Sequence, residues 1–522
     1  MDTTRFLART RARILSSALL VLFGAAPLLV AQEPGDDDTA SIDITAEVIR
    51  LNSEQADLIA HEWRQGHVTQ RVIAESKSAN ENGYRVQLPA SGPLPTPTYD
   101  DGRIYISGGF DSKEFYCLDA QSGTTLWAVD LDDDGPSAAV VERNVVVFNT
   151  ESCTIFALDA TTGEHLWSWW LGDPLMSTPT IHQGRVYTSY PNTALGAEAT
   201  HVLACFELTT GKVLWQKWID SDVMSAPVGA GDDLLVSSFA GTLYTFDAET
   251  GDIKSALRSR ATSAPIVVDG ELYFTQRADR DGQVREGVVR ANRAEIDRAV
   301  ADNTSVLSDS LGVAVVTTSS LSSSSFRSLS EKEAVYLDKD VQSNADYKAK
   351  AMTLDAANGF GNGAPSTANA FVAAENIGQD NVSSLQAFQG SRVLHADGRN
   401  FNTMGDEIIC IDPESGKELW TRKLDGDMER SGGFLGTSPV AVGGELIVCT
   451  IDGKVMRIDA ASGEQIATYD IGEAVRTQPA VVDGRIYVGT EAGGLHCIDT
   501  KNRKLTGWYT WGGDMAHTGV GK

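Results

Sequence analysis

Basic residues are scarce in this chain. Forty-three Lys and Arg face 71 Asp and Glu across 522 residues, a formal charge of −28 at pH 7. A surface so acidic repels phosphate backbones and anionic lipids, which excludes nucleic-acid or membrane binding through bulk electrostatics. Cysteine is scarce too: there are six, and no two are adjacent. Cys117, Cys205, Cys410 and Cys497 recur at one place in a repeated phrase, so they fall in separate units. They read as small apolar core residues, not as a disulfide framework. Cys153 and Cys449 also sit in strand patterns. Eight histidines, His517 among them, show no metal-ligand spacing. No Gly-rich phosphate loop opens a helical pattern, and no Ser/His/Asp arrangement stands out.

Long apolar runs are lacking beyond Ile14–Val30, which follows Arg5, Arg9, Arg11 and Arg13. A basic start and a run too short for a lasting span predict a signal peptide over 1–31, cleaved after Ala31. Residues 32–82 then form a linker with three consecutive acids, Asp36–Asp38, and a short helical segment over Ser53–Glu62. The mature protein is expected in the periplasm or outside the cell, with no integral membrane span after signal removal.

What is abundant is one phrase: an Asp or Glu ending a strand, Gly four residues later, then a hydrophobic strand, often with Trp. It reads YCLDAQSGTTLW at Tyr116–Trp127, FALDATTGEHLW at Phe156–Trp167 and CFELTTGKVLW at Cys205–Trp215. Further copies are Thr245–Ser255, Cys410–Trp420 and Arg457–Ala467. A phrase returning about every 40 residues is one supersecondary unit copied, and copied four-stranded units close into a propeller. Each unit opens with Ser/Thr-x-Pro, as at Ser177–Pro179, Ser225–Pro227 and Thr477–Pro479. Proline at a strand's first residue removes no ladder hydrogen bond. A Gly turn and an alternating strand such as Arg485–Gly489 follow.

Counting openings near Thr96, Ser137, Ser177, Ser225, Ser263, Ser383, Thr437 and Thr477 gives an all-β, eight-bladed propeller over 83–511. In blade five, Asn292 stands where the Asp belongs; in blade six, Leu385 is expected to replace the opening Pro. Residues 293–382 break the repeat and read as an insertion in blade five, helix-compatible over Glu331–Ala356. Tyr84–Leu88 and Lys504–Trp511 both suit the strand that closes the ring, and 512–522 reads as a C-terminal tail.

The phrase resembles the PQQ-like, or quinoprotein-type, repeat, with Asp119/Gly123/Trp127, Asp159/Gly163/Trp167 and Asp412/Gly416/Trp420 matching in full. Glu207/Gly211/Trp215 matches with Glu for Asp. The resemblance implies a quinoprotein alcohol dehydrogenase-like propeller whose fourth-strand Trp packs between blades. It also implies two functional branches. One is the quinone-dependent dehydrogenases, and the other is the BamB-like scaffold of outer-membrane assembly.

The dehydrogenase branch implies adjacent cysteines, a calcium held by carboxylates and amides, and an Asp acting as base. None of these is recognisable here. The expectation is therefore a non-enzymatic, exported scaffold for protein or peptide partners in the cell envelope, with no cofactor. A PQQ-dependent alcohol or sugar dehydrogenase using PQQ and calcium is the alternative, and a carbohydrate- or peptide-sensing module a further one. Asp130, Asp132 and Asp134 follow the order of a calcium loop, and also that of a solvated acidic turn. Three residues ahead of the opening Pro, Met176, Met224 and Arg476 are placed at the channel mouth as candidate binding residues, where packing is the other role open to them.

Overall fold

The alternation read above appears in the computed structural model as strands throughout. The structure describes residues 66–292 and 392–521, apart from breaks of at most seven residues, together with 315–317 and 323–328. No helix occurs among them. Eight sheets, each with four antiparallel strands, present a three-residue strand innermost, and neighbouring innermost strands touch at six of the eight junctions. Thr98–Asp100 meets both Val140–Glu142 and Ala480–Val482, so the last blade returns to the first.

Two local rules recur around the ring. In seven of the eight blades the first hairpin turns on residues with positive φ at both centres, as at Asp101 (40°) with Gly102 (77°), Asp397 (49°) with Gly398 (68°), and Asp483 (48°) with Gly484 (75°). That geometry suits the twist of two-residue hairpins and explains the Asp-Gly preference. The second rule concerns the seam between blades. The Trp of one blade lies on the Asp-x-x-x-Gly turn of the next and donates its indole N–H there. Trp127 bonds Ala160 O at 3.1 Å, Trp167 bonds Leu208 O at 2.8 Å, Trp215 bonds Ala248 O at 3.2 Å and Trp420 bonds Ala460 O at 3.2 Å. A Cβ on Gly163, Gly211, Gly251 or Gly463 would run into that indole. At the seam between blades eight and one, Tyr84 covers Gly123 and donates its hydroxyl to Ala120 O at 3.0 Å. Burying these aromatics between sheets removes large apolar areas from water, the main favourable term of the ring.

The closing strand is N-terminal: Gly83–Gln87 pairs antiparallel with Gly494–Asp499. Three sheets carry a fifth strand. Val68–Gln70 adds to Thr125–Leu131, Ser76–Asn80 to Gly83–Gln87, and Val315–Thr317 runs parallel to Ile253–Arg258.

Three expectations change. Residues 293–382 are not wholly outside the repeat, because Ser323–Ser328 pairs with Gln283–Asn292 as the fourth strand of blade five. A serine-rich strand has too little apolar alternation to announce itself. Blade six opens eight residues later than Leu385, since its innermost strand is Leu394–Ala396 and Val393 takes the proline position. LQAFQG and VLHADG both look like an opening, and the second owns the Asp-Gly turn. The segment 512–522 is not a free tail, since His517 is fully buried. The signal peptide, Ser53–Glu62 and Glu331–Ala356 lie outside the described residues.

Candidate functional site: the propeller axis

The repeated carboxylates are turn residues. Asp119 Oδ1 accepts from Ser122 Oγ and Ser122 N, both at 2.7 Å, and Asp412 and Asp459 do the same with Ser415 and Ser462. The hydroxyl, and after it the backbone N–H, hold all three carboxyls below the usual range. The thiols are buried: Cys117, Cys205, Cys410 and Cys497 are each pushed up to about 12 by burial, and Cys449 is raised as well. Such thiols are apolar filler, not nucleophiles. Cys153 lies outside the described residues.

Acids in the links between blades take a second structural role. Asp133 accepts from Thr150 Oγ1, Asp220 from Thr242 Oγ1, and Glu473 from Thr490 Oγ1 at 2.6 Å. Each bond ties the loop leaving one blade to the hairpin between the second and third strands of the next. This frames the Asp130–Asp134 loop. Asp130 Oδ2 lies 3.7 Å from Arg71 Nη1, Asp132 is exposed, and Asp134 Oδ1 lies 3.4 Å from Lys113 Nζ. The carboxylates face separate partners. Among the described residues no three His, Cys, Asp or Glu side chains gather to hold a metal ion.

Of the channel-mouth candidates, Met176 lies outside the described residues. Met224 is fully buried, which corrects its placement at an open mouth. Its N–H donates to Ser237 O at 2.7 Å, so the link folds inward there. Arg476 is exposed and paired with Glu491. Met224 and Arg476 thus differ in exposure, one buried and the other open to solvent.

The axis itself has a donor lattice that sequence reasoning missed. In a three-residue strand closed by a tight hairpin, the end residues pair with the second strand, so the middle residue's N–H faces the other way. Six of these middle N–H groups donate to the C-terminal segment. Tyr99 bonds Tyr509 O (2.7 Å), Ile181 bonds Met515 O (2.9 Å), Gly229 bonds Ala516 O (2.9 Å), His395 bonds Gly519 O (3.2 Å) and Val481 bonds Trp508 O (2.6 Å). Val141 donates to Met515 Sδ at 3.2 Å. The innermost edges would otherwise be unpaired backbone in a dry interior.

Just before these strands, the middle residue of Ser/Thr-x-Pro is buried in every blade. It is small at Thr96, Ala138, Thr178, Ala226, Ala264 and Ser438, and large only at Arg392 and Gln478. Both large residues hold the segment. Gln478 Oε1 accepts from Gly512 N at 2.9 Å. Arg392 lies 4.4 Å over the Trp511 ring and donates through Nη2 to His517 O and to Pro265 O. Burial pushes the Arg392 guanidinium down to about 9, with the Asp514 charge opposing. His517 Nδ1 meets Trp511 O at 2.7 Å and Nε2 meets Pro179 O at 3.0 Å. The available signal was the Gly-rich run WGGDMAHTGVG, with Trp and His among residues small enough to thread a narrow axis.

Blades of Asp-x-x-x-Gly turns, locked by indoles and closed by an N-terminal strand, define a PQQ-like repeat β-propeller. The sequence profile described as outer membrane protein assembly factor BamB matches residues 60–295, 175–362 and 361–510, and the chain belongs to that family. It is 26% identical over 102 residues to outer membrane protein assembly factor BamB of Marinobacter adhaerens, covering 19% of this chain and 24% of that protein. It is 28% identical over 119 residues to quinoprotein alcohol dehydrogenase PedH of Pseudomonas putida, covering 20% of each chain. These matches thus span a quarter or less of the curated relatives. The crystal structure of Saccharomyces cerevisiae Sqt1 superposes with a TM-score of 0.51 at 8% identity, covering 79% of this chain and 98% of that one, a likeness of fold alone. No helix among the described residues is long and apolar enough to cross a membrane.

Proposed function

We propose that this chain is an exported, non-enzymatic propeller that serves as a protein-binding scaffold in the cell envelope, in the assembly of outer-membrane proteins. One observation carries the reading. The axis, where the blades converge and a planar quinone would lie, is already threaded by the chain's own residues, with Trp511 and His517 packed edge to face at 4.9 Å. The residues lining it suit a peptide backbone and do not suit PQQ. The separate, raised thiols point the same way, since they offer no reactive pair beside the axis. Membership of a family described as an assembly factor supports the scaffold role, although fold alone does not assign function.

The experiment is calorimetric titration with PQQ and calcium, followed by a dye-linked dehydrogenase assay on alcohols and sugars. No binding and no turnover are expected; tight binding with turnover would establish the dehydrogenase that the likeness to PedH suggests. Deleting the gene should lower the heat-modifiable, folded fraction of outer-membrane β-barrels in the host. Unchanged barrels would remove the assembly role.

A further inference from the structure

We infer that the propeller axis is a peptide-binding site whose resident ligand is the chain's own Trp508–Gly521 segment. The ligand class is a Gly-rich peptide read through backbone hydrogen bonds and anchored by one indole and one imidazole. This goes beyond the scaffold reading, which concerns partners reached from outside the ring.

The segment behaves as a ligand, not as a ninth blade. Between Trp508 and Gly521 it makes no strand pairing of its own beyond single bridges, Val481 with Trp508 and His395 with Val520. Its bonds are spread around the ring. It donates as well as accepts: Trp508 N bonds Val481 O at 3.2 Å and Gly521 N bonds His395 O at 2.8 Å. Glycine is needed at the contact points. A Cβ on Gly519 would stand 2.5 Å from Ile266 Cγ2, and one on Gly521 would stand 3.0 Å from the Ala441 Cβ. The receptor positions are specific as well. Of the eight residues in the small ring, only Arg392 and Gln478 are long, and each reaches the segment.

The cation makes the case strongest. Arg392 is fully buried, and among the described residues no carboxylate stands within ion-pair distance; its Nε and Nη1 meet no acceptor. What offsets its charge is therefore largely supplied by the segment: the His517 carbonyl and the face of Trp511. The backbone just ahead of that segment has room for an insertion. Gly507 takes φ 109°, and a Cβ there would meet nothing within 4 Å.

The test uses the full chain with a protease recognition sequence inserted between Thr506 and Gly507, folded first and cleaved afterwards. The released fragment should co-elute with the propeller on size exclusion and exchange slowly with an excess of isotope-labelled synthetic peptide of its own sequence. Arg392→Met and Gln478→Ala should each speed that exchange by about tenfold, the effect of losing one strong hydrogen bond. Prompt loss of the fragment with an unchanged melting temperature would overturn the inference, and so would exchange rates untouched by both substitutions. If the ring melts when the fragment leaves, the synthetic peptide should restore the original melting temperature, and failure to restore it would count equally against a peptide site.

Discussion

Gly163 of blade two lies against the indole of Trp127 in blade one: a Cβ on Gly163 would stand 2.7 Å from the Trp127 Cε3. The glycine also takes φ 71°. One position thus answers two demands, a left-handed turn and a seat for the neighbouring indole. Gly163→Ala should cost about 1–2 kcal/mol for the left-handed backbone and about 1–3 kcal/mol more for overpacking against the ring. Gly102→Ala is the control, with φ 77° and nothing within 4 Å, so it carries the first cost only. Urea midpoints for the two variants separate the terms. Equal losses would remove the indole from the account.

This pairing also shows what could be read in the sequence. Asp, Gly and Trp at fixed spacing disclose both the turn and the seam, because each residue type has one physical reason to be there. The blade count follows from the same spacing. Less could be read where a residue's partner is remote and unrepeated. Ser323–Ser328 lacks alternation, and the opening placed at Leu385 lies at Val393, where the Asp397-Gly398 turn was the signal passed over. The axis was least legible of all. Arg392 and Gln478 look like ordinary loop residues until the ring sets them beside Gly512 and His517, more than 30 residues downstream of Gln478 and more than 110 downstream of Arg392. Met224 is buried where Arg476 is exposed, because distance from a proline says nothing about which way a link folds.

The N-terminal closing strand hangs on a side-chain clasp. Arg85 Nε donates to Glu473 Oε1 at 2.8 Å, while Thr490 Oγ1 donates to the Glu473 Oε2 at 2.6 Å. Burial works against the Glu473 charge, but the Thr490 and Arg85 bonds outweigh it and hold the carboxyl below its usual range. Glu473→Gln should therefore destabilise the ring by about 1.5–3 kcal/mol, the range for hydrogen bonds to charged groups. Amide exchange should quicken in Gly83–Gln87 and stay unchanged in Thr154–Asp159. Uniform quickening would mean that the clasp is not local to the closure.

The raised thiols set an expectation for reagents. Cys117, Cys205, Cys410, Cys449 and Cys497 are buried and hold their protons well above neutral pH. In a Cys153→Ser variant, a disulfide reagent at pH 8 should therefore titrate no thiol in the folded protein and five in denaturant. Prompt native-state reaction at any of the five would mean that a seam opens readily.

His201 should make stability fall with acid. It is buried in blade three opposite Ile219, and burial pushes its imidazole down to about 3. The unfolded imidazole titrates near ~6.5, so unfolding takes up a proton at any pH between the two values. The stabilising contribution is thus complete above ~6.5 and is lost as pH drops towards 3, at up to about 1.4 kcal/mol per pH unit. Urea unfolding at intervals between pH 7 and pH 5, above most carboxylate titration, should give a positive slope of stability against pH. His201→Phe should lower that slope by close to one proton's worth, whatever it does to absolute stability. An identical slope in the variant would mean that His201 is not the group taking up the proton.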